Sequence, residues 1–267
     1  MWLTVEHVTR YGYDAPINEA YTEVRLKPLH RDGQRCSSFA LATEPRGATV
    51  DEYLDRYGNT VHHFDLLEMH ESLAVTVRSE VWTTAEYVAD QPTLFPLDRW
   101  DFLAGTRYVG LDDGVIELAA ASAAPTDAVE TAWALMHAVR GAMSYERGTT
   151  NVHTTASEAL ADGRGVCQDF AHVMIGACRA RGIPARYVSG YLHDTRANGG
   201  EGESHAWVDV HVGDTWISLD PTHDTAQTER YVRVGVGRDY ADVPPSRGVY
   251  RGTAKETLEV AVTIREP

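Results

Sequence analysis

Cys167, His205 and Asp220 are the residues whose types and settings suit them to chemistry as a group. A thiolate that attacks a carbonyl, an imidazole that takes and returns its proton, and a carboxylate that orients the imidazole make a covalent-catalysis set. Each stands at a change in local pattern. Cys167 lies in GRGVCQDF (163–170), where a glycine-rich turn gives way to helical spacing. His205 opens the strand-like run HAWVDVHV (205–212), and Asp220 closes TWISLD (215–220) just before Pro221.

The elements that must hold these groups follow from periodicity. Phe170, Val173, Met174 and Ala177 recur at helical spacing until Gly182, with Pro184 beyond, so a helix begins near Cys167. Its first turn offers unpaired N–H groups and the positive end of the helix dipole, which favour a thiolate over a thiol. If Gly213-Asp214 is a two-residue turn, Trp207 faces Asp220 and His205 faces Thr222. His205 and Asp220 then share one face as a diagonal pair, roughly 7–8 Å apart at the backbone. A slip of one residue would separate them. Taken singly, a cysteine is more often a small buried hydrophobe and an Asp-Pro a turn; their coincidence outweighs those readings.

A substrate cleft beside this set is expected to draw on Gln168, Tyr187, Ser189, Tyr191 and Trp207. Gln168 is a candidate to help place an oxyanion, with the backbone N–H of Cys167 as the more direct donor. The polar run DTRANGGEGE (194–203) reads either as a plain surface loop or as a lip of the cleft, since it ends at the histidine. Arg238 and Asp239 read as a structural ion pair.

No metal and no cofactor are expected. His62 and His63 are adjacent, so their rings oppose in a strand, and His70-Glu71 lacks a second histidine four residues on. Neither CxxC nor a phosphate-binding glycine motif occurs.

Three blocks, GVCQDFAHVMIGACRARGIPARYVSGYL (165–192), SHAWVDV (204–210) and WISLDPTHD (216–224), resemble the signature segments of bacterial transglutaminase-like proteins, a superfamily with a papain-like core that includes transglutaminases, peptidases and amidases. The resemblance extends forward through Tyr11–Tyr13, Arg25–Pro28, Asp55–Asn59 and a strand at Ser72–Trp82, which are similar to that group's β-rich N-terminal region, and onward through 237–245. It implies Cys167 as nucleophile, His205 as general base and acid, and Asp220 as orienter. His223 stands where the family more often has Asn, a departure that leaves those three untouched.

Composition agrees with an enzyme of more than one part. At 267 residues the chain can bury a substantial core. A net charge of −15 argues against a nucleic-acid partner, and no stretch approaches the ~18 apolar residues of a membrane helix. Three cysteines form no disulfide framework, and the N-terminus alternates like a strand rather than a signal peptide, so a cytoplasmic location without membrane partners is expected. Cys178 is expected in the core.

The reading is α+β: an N-terminal β-sandwich-like domain over residues 1–88, a connector over 89–125, and a papain-like, transglutaminase-like core over 126–267 that includes the C-terminal strand. Helix starts are marked by Asp127 with Glu130 and by Thr155 with Glu158; Val129, Ala132, Trp133, Met136 and Val139 form the apolar stripe of the first. Phe95, Trp100, Phe102 and Tyr108 of the connector are expected to pack on the core. The function expected is cysteine-dependent acyl transfer on a peptide or protein substrate, leaning to hydrolysis as a peptidase or amidase. The alternatives are a protein-glutamine transglutaminase and a non-catalytic peptide-binding module. Oligomeric state is not legible in the sequence.

Overall fold

The computed structural model describes residues 1–30, 33–47, 49–85, 94–122, 127–193 and 203–267. Five strands come first: β1 (Trp2–Val24), β2 (Gln34–Glu44), β3 (Val50–Leu54), β4 (Thr60–Leu66) and β5 (His70–Thr83). The helices α1 (Pro96–Asp101), α2 (Asp113–Ala121) and α3 (Ala128–Ala142) follow, then β6 (Ser144–Tyr145), α4 (Ala156–Asp162), β7 (Arg164–Gly165) and α5 (Cys167–Ala180). The remaining strands are β8 (Ala185–Leu192), β9 (Glu203–Val212), β10 (Thr215–Asp220), β11 (Thr225–Ala226), β12 (Tyr231–Gly237), β13 (Ser246–Arg251) and β14 (Glu256–Arg265), with one 3-10 turn at Tyr240–Asp242 between β12 and β13.

β1 organises the first sheet. Leu3, Val5, His7 and Thr9 alternate inward as the strand period requires. The register then shifts between Gly12 and Ile17 and again between Asn18 and Ala20, where Glu19 takes a positive φ of 52°. The arm before the bend pairs with β5 and β14, and the arm after it with β4 and β13, while β2 and β3 flank. Ile17, Val24, Phe64, Leu73, Val75 and Val77 from both arms share one core, which makes the curled sheet sandwich-like.

Sequence order places the C-terminal strand with the catalytic core, but hydrogen bonding does not. β14 pairs with β1 from Thr4–Arg265 to Tyr13–Glu256, and β13 pairs with its second arm. Backbone partners this remote in sequence leave no local signal.

The second sheet runs β11-β10-β9-β8-β12, antiparallel throughout. α5 lies against β8 and β9, with α2, α3 and α4 packed on it, so Asp169 to Arg179 are all buried. Asp127 caps α3 through Val129 N–H at 2.6 Å, and Thr155 with Glu158 forms a capping box on α4. The stripe of α3 is rotated from expectation. Val129 is exposed and Trp133 half-buried, whereas Thr131 and Leu135 face inward, the Thr131 hydroxyl satisfied by the carbonyl of Asp127 at 2.7 Å. In the connector, Phe102 packs edge-on against Trp216 and Tyr108 stacks on His172, but Phe95 and Trp100 are exposed.

The two sheets share an apolar cluster. Leu3, Val5, Val81 and Ile264 meet Tyr191, Val232 and Val234 in a single cluster. Two amide side chains finish the edge of β12. Gln34 exchanges hydrogen bonds with the backbone N–H and C=O of Arg233 at 2.7 and 2.8 Å, and Asn59 does the same with Val236 at 2.8 Å each. They occupy ladder positions that would otherwise be an open sheet edge.

A buried ion network braces the sheet beneath the site. Asp209 accepts from Arg186 at 2.9 Å and from Arg233 at 2.6 and 2.7 Å, with Ser218 completing it at 2.6 Å. Burial alone would push its pKa up, but the guanidiniums of Arg233 and Arg186 hold the carboxyl well below the usual range. Arg238 pairs with Asp242 at 2.9 Å, while Asp239 accepts from the Ala241 N–H, so the expected ion pair with Asp239 is replaced by one four residues on.

Candidate active site

Cys167 occupies the first position of α5, half-buried. The turn before it is fixed by Asp169, whose Oδ2 accepts from the Val166 N–H and the Thr150 hydroxyl, each at 2.7 Å. A Cβ on Gly165 would stand 2.5 Å from that oxygen, which explains the glycine. The helix ends at Gly182, with φ 72°.

The hairpin carrying the other two groups has the register of a two-residue turn: Val212 faces Thr215 and Val208 faces Leu219. His205 Nε2 donates to Asp220 Oδ2 at 2.7 Å. Cys167 is the other side chain that acts on the charge of the ring. Burial alone would depress the imidazole, but Asp220 and Cys167 together raise it to about 10. Trp207 lies nearly parallel behind the ring, 6.1 Å between centroids, and Tyr231 stands 6.0 Å away.

Asp220 is fully buried and takes five donors. Oδ2 receives His205, His223 Nδ1 at 2.8 Å and the Tyr231 hydroxyl at 2.7 Å; Oδ1 receives the backbone N–H groups of Thr222 at 2.9 Å and His223 at 3.3 Å. Burial would favour the neutral acid, yet His205 and His223 pull the group well below the ordinary carboxylate range. His223, which the sequence reading left outside the catalytic set, therefore touches one of its members directly.

His205, Asp220 and His223 also bring three metal-ligating atoms within 4.8 Å of one another, a trio that sequence spacing concealed because the hairpin assembles it. Both histidines point a ring nitrogen at the same carboxylate oxygen, so the trio is bonded within itself.

A cleft of about 260 Å³ opens over Cys167 and His205. Gln168, Tyr187 and Ser189 line it; the Gln168 amide donates to the Val152 carbonyl at 3.3 Å. Tyr191 and Trp207 do not. Tyr191 is covered by β1 and accepts or donates at His7 Nδ1 over 3.0 Å, and Trp207 is sealed against Gly190 and Tyr231. The opposite wall comes from β1 and β14, through His7, Thr9, Tyr11, Leu258 and Val260, none of which the sequence reading placed here. The run read as a cleft lip lies outside the described residues up to residue 202. Cys178 is buried, its thiol pushed up to about 12 by burial.

A thiol at the start of a buried helix, packed on an antiparallel sheet that presents an imidazole and a carboxylate, is the papain-like architecture of transglutaminase-like cores. The chain belongs to this superfamily: the transglutaminase-like superfamily matches residues 116–221 and the bacterial transglutaminase-like N-terminal region matches residues 3–82. An uncharacterised protein of Mycobacterium leprae is 36% identical over 99% of each chain. A protein-glutamine gamma-glutamyltransferase of Pseudomonas aeruginosa is 34% identical over 100 residues, 33% of this chain and 15% of that one. The crystal structure of a candidate cysteine protease from Cytophaga hutchinsonii covers 100% of this chain and 91% of its own, with a TM-score of 0.80 at 22% identity, a likeness of fold.

Proposed function

We propose that this protein is a cysteine-dependent acyl-transfer enzyme acting on a peptide or carboxamide bond. Cys167 attacks the carbonyl carbon, and the oxyanion is met by backbone N–H groups at the start of α5. The C–N bond breaks as His205 protonates the leaving amine, which leaves a thioester on Cys167. Water, deprotonated by His205, then releases the acid and restores the thiol. Asp220 keeps the ring oriented and stabilises its charged form.

The observation that carries this reading is the position of His205, bonded to the fully buried Asp220 and lining one cleft with a half-buried thiol at a helix start. Hydrolysis is favoured because water needs no organised acceptor site. Transfer to an amine is the second reading, favoured by the gamma-glutamyltransferase likeness over a third of the chain.

Iodoacetamide labelling near neutral pH, read at each cysteine by mass spectrometry, tests the first step. Cys167 is expected to react much faster than Cys36 or Cys178, and to lose that advantage in His205→Ala. Equal rates at the three cysteines would overturn the reading. Product analysis of a peptide carboxamide with and without added alkylamine then separates hydrolysis from transfer.

A further inference from the structure

The wall facing the thiol has a chemical character of its own. Tyr11 and Leu258 are register partners across β1 and β14, as are Thr9 and Val260, and partners in an antiparallel ladder point to the same side. All four line the cleft over Cys167. Leu258 and Val260 are 56% and 49% exposed, an apolar surface with nothing packed over it. The Tyr11 hydroxyl is taken up by Ser246 at 2.6 Å, and Pro245 and Tyr240 continue the lining. The polar atoms of His7, deeper in the wall, are consumed by Tyr191 and Thr9 at 3.0 Å each. Among the described residues that line the cleft, none carries a carboxylate, ammonium or guanidinium group, in a chain of net charge −15.

A cleft of about 260 Å³ falls just below the ~300–1,000 Å³ of small-molecule sites, a size suited to one or two residues of a peptide. We propose that the β1–β14 wall selects the substrate, and that it takes a peptide whose residue beside the scissile carbonyl is uncharged and apolar, such as leucine or phenylalanine. This rests on the acyl-transfer reading for where the scissile bond lies, but the side-chain preference belongs to the wall. Leu258 and Val260 are its specificity-determining residues. An apolar side chain against them removes hydrocarbon from water on both partners, whereas a glutamate or lysine there would lose hydration with no counter-charge on the β1–β14 wall itself.

The test separates the wall from the chemistry. Capped tripeptide amides with Leu, Phe, Glu or Lys at the residue preceding the terminal amide are titrated against Cys167→Ala by calorimetry, so no turnover is needed. The Leu and Phe peptides are expected to bind at least tenfold tighter than the Glu and Lys peptides. Adding Leu258→Lys, or Val260→Lys as an independent second variant, is expected to abolish that preference and bring the Glu peptide level with or ahead of the Leu peptide. Equal binding of all four peptides, or a preference unchanged in both lysine variants, would overturn the proposal. Iodoacetamide labelling of the same lysine variants with Cys167 intact, using a reagent that carries no side chain, reports on the thiol alone. Failure there would count against the acyl-transfer reading and leave the calorimetric result to stand by itself.

Discussion

His223 bonds the side chain of Asp220 at 2.8 Å, on the same Oδ2 that holds His205 at 2.7 Å. The oxygen that orients the proposed base is thus shared with a second, half-exposed imidazole. His223→Ala removes one of three side-chain donors to Asp220 without touching Cys167. A loss in kcat/KM of roughly three- to tenfold is expected, with the pH profile of the ascending limb altered. His223→Asn, which retains a donor, should recover most of the activity. Unchanged pH profiles in both variants would mean that His223 is a bystander.

Changes at the three central residues should be far larger. Cys167→Ala and His205→Ala are expected to remove activity almost entirely, and Asp220→Asn to reduce kcat by about 10³–10⁴ through loss of ring orientation. Asp220→Ala should also destabilise the fold, since it strips five hydrogen-bond donors of their buried acceptor. Steady-state kinetics and thermal melts of the same variants check both expectations.

Acid should weaken the protein before the carboxylates titrate. Burial lowers His7 to about 4, and burial with Arg179 nearby lowers His172 to about 3, so both are neutral when folded. A folded value below the unfolded 6.5 means stability is complete above pH 6.5 and lost as pH falls toward 4 and 3. Each histidine is expected to cost roughly 2 kcal/mol by pH 5. His172→Gln, whose amide oxygen can still accept from the Tyr240 N–H, should flatten the decline in melting temperature between pH 7 and 5. An identical decline in the variant would remove His172 from the account.

The opposite sign applies at His205. Its folded value, raised to about 10, makes its contribution complete below pH 6.5 and lost as pH rises through about 10. Denaturant midpoints of the wild type should therefore fall across that alkaline window by more than those of His205→Gln.

The network around Asp209 supplies a structural control. Asp209→Leu leaves the guanidiniums of Arg186 and Arg233 buried without their carboxylate, at an expected cost of about 3–5 kcal/mol. Replacing all three with apolar residues should recover much of the loss. Urea unfolding of the single and triple variants reads the difference.

The sequence was most informative where chemistry and local geometry coincide. A two-residue turn and strand alternation were enough to place His205 and Asp220 on one face, and the observed register is the one they require. Alternation could not say which part of a face is cleft and which is core. Tyr187, Ser189 and Tyr191 lie on one side of β8, but β1 crosses over Tyr191 and seals it. Likewise the apolar residues of α3 fit more than one arc, and the choice fell to Leu135 rather than Val129 because of what packs above them. The partnership of β14 with β1 had no local signature at all, and the wall over the thiol was hidden with it.

That pairing has a consequence for the order in which the molecule is made. Thr4 and Arg265 are register partners 261 residues apart, so the ladder between β1 and β14 closes a very long loop, whereas β4 and β5 are available to β1 much earlier. By the time Leu258 and Val260 leave the ribosome, Cys167, His205 and Asp220 have already been synthesised. The thiol and its imidazole thus exist before the surface opposite them does. The cleft therefore has its second wall only once β14 has paired with β1.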